Sequence, residues 1–92
     1  MLALITGAGA PGGIGMACAR ALGQAGYRLA ITATTGRIFA RAAELIAEGY
    51  QVTAHQADLT DPVQVAAMAD AVGPVSVLVN NAGMGPVTAP AE

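Results

Sequence analysis

The sequence predicts an α/β fold, a doubly wound parallel sheet with strand order 3-2-1-4, of which these 92 residues form the first part. Three observations predict it. Short apolar runs alternate with stretches of helical periodicity, a rhythm that argues parallel strands joined by right-handed crossovers. Glycine gathers in one place, T-G-A-G-A-P-G-G-I-G from Thr6 to Gly15, directly after the first apolar run. The composition is 54% hydrophobic and 11% charged, too apolar for a small free-standing domain but natural for strands covered on both faces.

The elements follow in order along the chain. Leu2–Thr6 reads as the first strand. Ile14–Gln24 reads as a helix, with Ile14, Ala17, Cys18, Ala21, Leu22 and Ala25 at helical spacing and Gly26 at the C′ position. Arg28–Thr32 is the second strand. Arg37–Glu48 is the second helix, with Ile38, Ala42, Leu45 and Ile46 on one face and Gly49 closing it. Tyr50–His55 alternates as a third strand. A third helix follows Asp61 at the N-cap and Pro62 at the first helical position, and runs to about Val72, before Gly73-Pro74. Val75–Val79 (V-S-V-L-V) is a fourth strand, apolar but for Ser76, and Gly83–Glu92 reads as loop. No internal repeat or domain boundary interrupts the βα rhythm. The fourth strand has no later strand in this sequence to cover its far edge, and an open apolar edge invites aggregation. The expectation is therefore that residues 1–92 are the N-terminal part of a single larger domain.

Composition excludes several classes of function. The net charge is −2, with Lys and Arg together numbering 4, so no basic stripe is present for nucleic acid or an anionic membrane surface. Gly, Pro or a charge breaks every apolar run well short of the ~18–20 residues that a membrane span requires. Met1–Thr6 lacks the basic start of a signal peptide. The single Cys18 cannot form an internal disulfide, which favours a reducing, cytoplasmic setting. One His and one Cys far apart make no metal site.

The glycine turn carries the chemistry. A strand, a glycine-rich turn and a helix beginning near Gly13 form a phosphate-binding arrangement. Glycine permits the tight turn and close backbone approach, and the helix N-terminus offers N–H groups and a partial positive charge to a pyrophosphate. A plain βα turn usually needs one glycine, and this one has five. The strand before and the helix after supply the context that a bare glycine pattern lacks.

These residues resemble the short-chain dehydrogenases/reductases, a Rossmann-like family. Three motifs carry the resemblance: the glycine turn at Thr6 to Gly15, Ala57-Asp58-Leu59-Thr60-Asp61 after the third strand, and Asn80-Asn81-Ala82-Gly83 after the fourth. All three fall at strand C-terminal ends, where ligands bind in open α/β sheets. The resemblance implies that Gly7, Gly13 and Gly15 wrap the adenosine pyrophosphate, with the Ile14 backbone beside it. It implies that Asp58 accepts a hydrogen bond from the adenine amino group and that Leu59 lines the ring. Asn80, Ala82 and Gly83 would pack beside the adenosine ribose and steady the central strand. Five residues separate Gly7 from Gly13 where the main branch of the family has three, and Pro11 brings no N–H to that turn. The longer spacing resembles a divergent, enoyl-reductase branch, but the retained Gly13, Gly15 and N-N-A-G match the main one.

The cofactor choice is read at the end of the second strand. An acid there would accept from the ribose 2′-OH and repel a 2′-phosphate. The sequence instead reads Thr32-Ala33-Thr34-Thr35-Gly36-Arg37, and Ala33 takes the place of the family's NAD-selecting aspartate. Thr34 and Thr35 offer hydroxyls and Arg37 a planar cation. NADP is expected, with NAD as second choice. The plain alternative makes Thr35 a helix cap and Arg37 a solvated residue, although a cation in a first turn opposes the helix dipole. The family's other usual NADP signal, a basic residue before the second glycine, is missing because Gly12 stands there.

Other residues read as structural. His55 covers a strand end without an acid or nucleophile beside it. Cys18, Met16 and Met68 read as packing, while Met84 falls in the loop after N-N-A-G. Tyr27 and Tyr50 occupy strand entries, and no Tyr-x-x-x-Lys occurs. The family's chemistry needs that pair and a serine, so no catalytic residue is assigned here. The resemblance implies an oxidoreductase that, when complete, is a homo-oligomer transferring hydride between NADP(H) and a carbonyl or alcohol substrate, for example a 3-oxoacyl thioester reductase. Its partners would be the dinucleotide, that small substrate, and the remainder of the domain or a second chain. The alternative is a non-catalytic nucleotide-binding or interaction module. A sugar-nucleotide epimerase fits less well, because those resemble T-G-x-x-G-x-x-G without N-N-A-G.

Overall fold

The apolar runs become four parallel strands, β1 (Leu2–Thr6), β2 (Arg28–Ala33), β3 (Val52–Gln56) and β4 (Val77–Asn80), with α1 (Ile14–Gln24), α2 (Arg37–Ala47) and α3 (Pro62–Val72) in the crossovers. The computed structural model describes residues 1–9 and 13–80. The strands lie in the order β3-β2-β1-β4, as the sequence predicts. Leu4 pairs with Ala30 on one side and Leu78 on the other. β1 is therefore central, and all five of its residues are buried.

Alternation along the strands divides the core in two. Ala3, Ile5, Leu29 and Ile31 face Met16 and Ala19 of α1 and Ile38, Ala42 and Leu45 of α2. Leu2, Leu4 and Ala30 face the other way, against Met68 of α3 and Ala57 in the turn after β3. Truncating Leu45, fully buried, to alanine would cost about 2–5 kcal/mol. An exposed ion pair between Arg20 and Glu48, with N···O distances of 3.0 to 3.2 Å, links α1 to the end of α2. Among the described residues no helix is long and apolar enough to cross a membrane.

The phase of α1 differs from the sequence expectation. Gly15, Met16 and Ala19 are its buried residues, Leu22 packs at the margin, and Ile14 is 70% exposed. In an alanine-rich helix several stripes are almost equally apolar, and the large Met16 decides between them. Cys18 is only half-buried. On α2, Ile38, Ala42 and Leu45 are buried as expected, whereas Ile46 is 54% exposed.

Strand bounds shift for a related reason. Gly26 and Gly49 both take positive φ, 98° and 100°. Each is followed by a tyrosine whose N–H reaches back into the helix: Tyr27 to the Leu22 carbonyl and Tyr50 to the Leu45 carbonyl, both at 3.1 Å. The glycines add N–H bonds to Gly23 O at 3.0 Å and Ile46 O at 2.9 Å. This is the Schellman pattern of helix ends. Tyr50 thus belongs to the end of α2, and β3 begins at Val52 rather than Tyr50. Its ring lies against Gly23, where a Cβ would come within 2.6 Å of it. β2 gains Ala33, and β4 is displaced to Val77–Asn80 from the expected Val75–Val79.

Because nothing lies within 4 Å of a Cβ built at Gly49, alanine there carries only the backbone cost of positive φ. Gly49→Ala should lower stability by about 1 kcal/mol, read as a lower urea midpoint at constant m-value. An unchanged midpoint would show that the helix end does not need the left-handed turn.

Candidate functional site

The C-terminal ends of the four strands form one edge, and the chain leaves each of them differently. After β1, Gly7 takes φ 72°, and the next N–H, of Ala8, donates to Thr32 O of β2 at 3.0 Å. The turn is thereby held against the neighbouring strand. Gly9 continues that contact, since a Cβ there would meet the Ala33 Cβ at 3.2 Å. α1 then begins from Gly13, which is extended at φ −83° and ψ 173° and supplies no side-chain cap. Gly15 is buried and Ile14 projects outward. Backbone N–H groups at a helix start without a side-chain cap suit an anion.

After β2 the chain exposes Thr34, Thr35, Gly36 and Arg37. Gly36 is the N-cap of α2, again with no side-chain bond, so the Thr35 hydroxyl does not cap this helix. Arg37 makes no ion pair among the described residues, whereas Arg20 and Arg41 each pair with a glutamate. Gln56, at the end of β3, donates from Nε2 to Thr34 O at 3.3 Å. That bond ties the β2–α2 turn to the neighbouring strand.

After β3, the Ala57 N–H donates to Ala33 O at 3.0 Å, and Ala57 is buried. Asp58 follows, exposed, with its Oδ1 accepting from Thr60 N at 2.9 Å and Thr60 Oγ1 at 2.6 Å. These donors hold the Asp58 carboxyl below its ordinary pKa. Leu59 packs against the Leu2, Leu4 and Met68 cluster. In contrast to α1 and α2, α3 has a side-chain cap, with Asp61 Oδ1 accepting from Val63 N at 2.9 Å.

β4 ends at Asn80, paired with Thr6. Buried Thr6 donates from Oγ1 toward Asn80 Oδ1 at 3.1 Å and Val79 O at 3.3 Å. Gly7, Gly13, Ile14, Gly15, Thr34, Thr35, Arg37, Asp58, Leu59 and Asn80 thus all stand at one edge of the sheet or in the turns above it. Ala82 and Gly83, with Pro11, Gly12 and Met84, lie outside the described residues. His55 is half-buried on β3 and shares a 3.0 Å hydrogen bond with the Thr53 hydroxyl; burial lowers its pKa, which keeps it neutral at neutral pH. Sequence reasoning passed over Gln56 and Gln64. Gln64 sits at N3 behind an Asp N-cap, the capping-box spacing, and could have been found. Nothing in the sequence marks Gln56.

Parallel strands in the order 3-2-1-4, with crossover helices on both faces, define a Rossmann-like α/β protein. The chain belongs to the short chain dehydrogenase family, whose pattern matches residues 1–92. It is 45% identical over 94 residues to 1-deoxy-11-beta-hydroxypentalenate dehydrogenase of Streptomyces arenae, covering 96% of this chain and 33% of that protein. Among solved structures it resembles a metagenomic short-chain oxidoreductase in complex with NADP, with TM-score 0.79 and 39% identity over 92% of this chain and 40% of that one. It also resembles a short chain dehydrogenase/reductase from Burkholderia phymatum in complex with NAD, with TM-score 0.76 and 33% identity over 84% of this chain and 28% of that one. The chain spans about a third of the length of the curated relative it matches.

The Asp58 turn yields a direct test. Its carboxyl pKa is depressed, so the turn's stabilising bonds are complete above the ordinary carboxylate range and are lost only as pH falls through the lower, folded value. Carbon-detected NMR titration should place Asp58 below an ordinary aspartate, and Thr60→Val should move it back up. An unshifted Asp58 in the unaltered protein would remove the Thr60 bonds from the account.

Proposed function

We propose that residues 1–92 are the cofactor-holding part of an NADP(H)-dependent carbonyl reductase or alcohol dehydrogenase. Membership of the short chain dehydrogenase family supports an oxidoreductase, and the dinucleotide, the substrate class and the residues that meet them are proposed with it. One observation carries it: at the end of β2 the apolar Ala33 stands where an NAD-selecting acid would otherwise be, and Arg37, four residues on, is exposed and makes no ion pair among the described residues.

On this reading the pyrophosphate would lie at the start of α1, met by the backbone of Gly7, Gly13, Ile14 and Gly15. The Thr34 and Thr35 hydroxyls and the Arg37 guanidinium meet the 2′-phosphate. Asp58 would accept from the adenine amino group, Leu59 would line the ring, and Asn80, Ala82 and Gly83 would pack beside the adenosine ribose. When bound, the nicotinamide supplies hydride transfer to or from a carbonyl or alcohol carbon. This chain's residues bind and orient that group. The sequence holds no Tyr-x-x-x-Lys, so the proton is assigned to residues outside 1–92. The exposed side of β4, where Leu78 is 61% accessible, is read as the face toward the rest of the domain. NAD is the second cofactor, and a cytoplasmic homo-oligomer the expected setting.

Titration of the purified protein with NADPH and NADH, followed by nucleotide fluorescence, tests the reading. NADPH should bind more tightly. Arg37→Ala should weaken NADPH about ten-fold, the lower end for a charge-assisted contact at an exposed site, and leave NADH almost unchanged. Equal loss for both nucleotides would place Arg37 away from the 2′-phosphate. Tighter binding of NADH by the unaltered protein would reverse the cofactor assignment.

A further inference from the structure

We propose that Gln64, in the first turn of α3, is a positioning residue that fixes Asp58 for recognition of the adenine amino group. The proposal rests on the reading of Asp58 as the adenine acceptor and adds how that acceptor is aimed.

Gln64 acts at both ends of its amide. Its Oε1 accepts from the Asp58 backbone N–H at 2.8 Å, and its Nε2 donates to Asp61 Oδ2 at 3.1 Å. Asp61 is itself fixed, because its other oxygen caps α3 at Val63 N, 2.9 Å away. A continuous chain of bonds therefore runs from the helix start to the backbone of Asp58. The other restraints on that residue are complementary. Ala57 before it is bonded to Ala33 O at 3.0 Å, and the Asp58 carbonyl accepts from the Asp61 N–H at 3.0 Å.

The carboxylate is then set relative to that backbone by Thr60. Both Thr60 donors go to Oδ1, at 2.9 and 2.6 Å, and neither uses Oδ2. One oxygen is anchored, and the other, which has no hydrogen-bond partner among the described residues, is left for a donor on a ligand. An amino group suits it, whereas a carbonyl in the same place would face a negative oxygen. The discrimination therefore lies between an adenine and a hypoxanthine ring, which differ in that group and in the proton that hypoxanthine carries on the neighbouring N1. It depends on Oδ2 being held in a single direction, and Gln64 supplies the restraint that reaches from the helix to this turn. In a capping box a glutamine at this position would return to the N-cap N–H; here it reaches three residues further back.

The test compares NADPH with its hypoxanthine analogue on the purified protein and on Gln64→Met and Asp58→Asn. Methionine keeps the length of the side chain and removes its hydrogen bonds. The unaltered protein should prefer the adenine form, and Asp58→Asn should abolish the preference. Gln64→Met should reduce the preference about three- to ten-fold, the range of one or two ordinary hydrogen bonds, mostly by weakening the adenine form. The Asp58 amide should lose hydrogen-exchange protection in the same variant. If Gln64→Met weakens both nucleotides equally, or only lowers the melting temperature, Gln64 is structural and the proposal fails. If Asp58→Asn leaves the preference intact, the adenine reading fails first, and the proposal with it.

Discussion

Every feature of the site depends on the pairing of β1 with a parallel strand on each side. Parallel ladders bring all strand C-termini to one edge, and here the register sets Thr6 beside Asn80 and Ala33 beside Gln56. Small residues make that packing possible: Ala3 and Ala30 are fully buried, on opposite faces. A shift of one residue in β1 would send Ile5 to the α3 side and Thr6 into the α1–α2 core. The turns that follow would lose their common edge with it. The buried Thr6 hydroxyl bound to Asn80 and Val79 penalises such a slip, because a displaced hydroxyl would leave a polar group unpaired in the core.

Much of this was legible in the sequence, and the misses have physical causes. Strand order and element identity followed from apolar runs broken by glycine, a signal that tertiary context reinforces. Ile14 was misplaced because hydrophobicity alone cannot phase a helix composed largely of alanine. Tyr50 was assigned to a strand because the residues from Tyr50 to His55 alternate, yet its N–H is engaged by the end of α2. Hydrogen bonds outranked side-chain preference there. Gln64 carried the capping-box spacing and could have been found, whereas Gln56 escaped because a glutamine has no fixed reach in sequence. What it bonds is decided by which strand end folds beside it.

The three helix starts divide the edge by chemistry. α1 and α2 begin from glycines that supply no side-chain cap, and α3 begins from Asp61, which does. A carboxylate at an N-cap satisfies backbone donors but opposes the approach of a second anion to the same place. The two glycine starts keep their partial positive charge for whatever settles above them, and Arg37 adds to it. The proposed ligand is divided in the same way along its adenosine half, with a charged pyrophosphate and 2′-phosphate and an uncharged adenine. On the proposed reading, the phosphates fall on the glycine starts and the base falls beside the capped helix.

That division also accounts for why the acidic residues of this edge can lie so close to a proposed anion site. Asp58 and Asp61 both stand on the β3–α3 side, each engaged by donors of its own turn. Such donors stabilise the ionised form locally and hold it to its own turn, with the proposed pyrophosphate two strands away at the end of β1. Moving either acid to the end of β2 would place an uncompensated carboxylate beside the Thr34–Arg37 turn. The position of the acids along one sheet edge, more than their number, is then what sets which end of a dinucleotide each turn can accept.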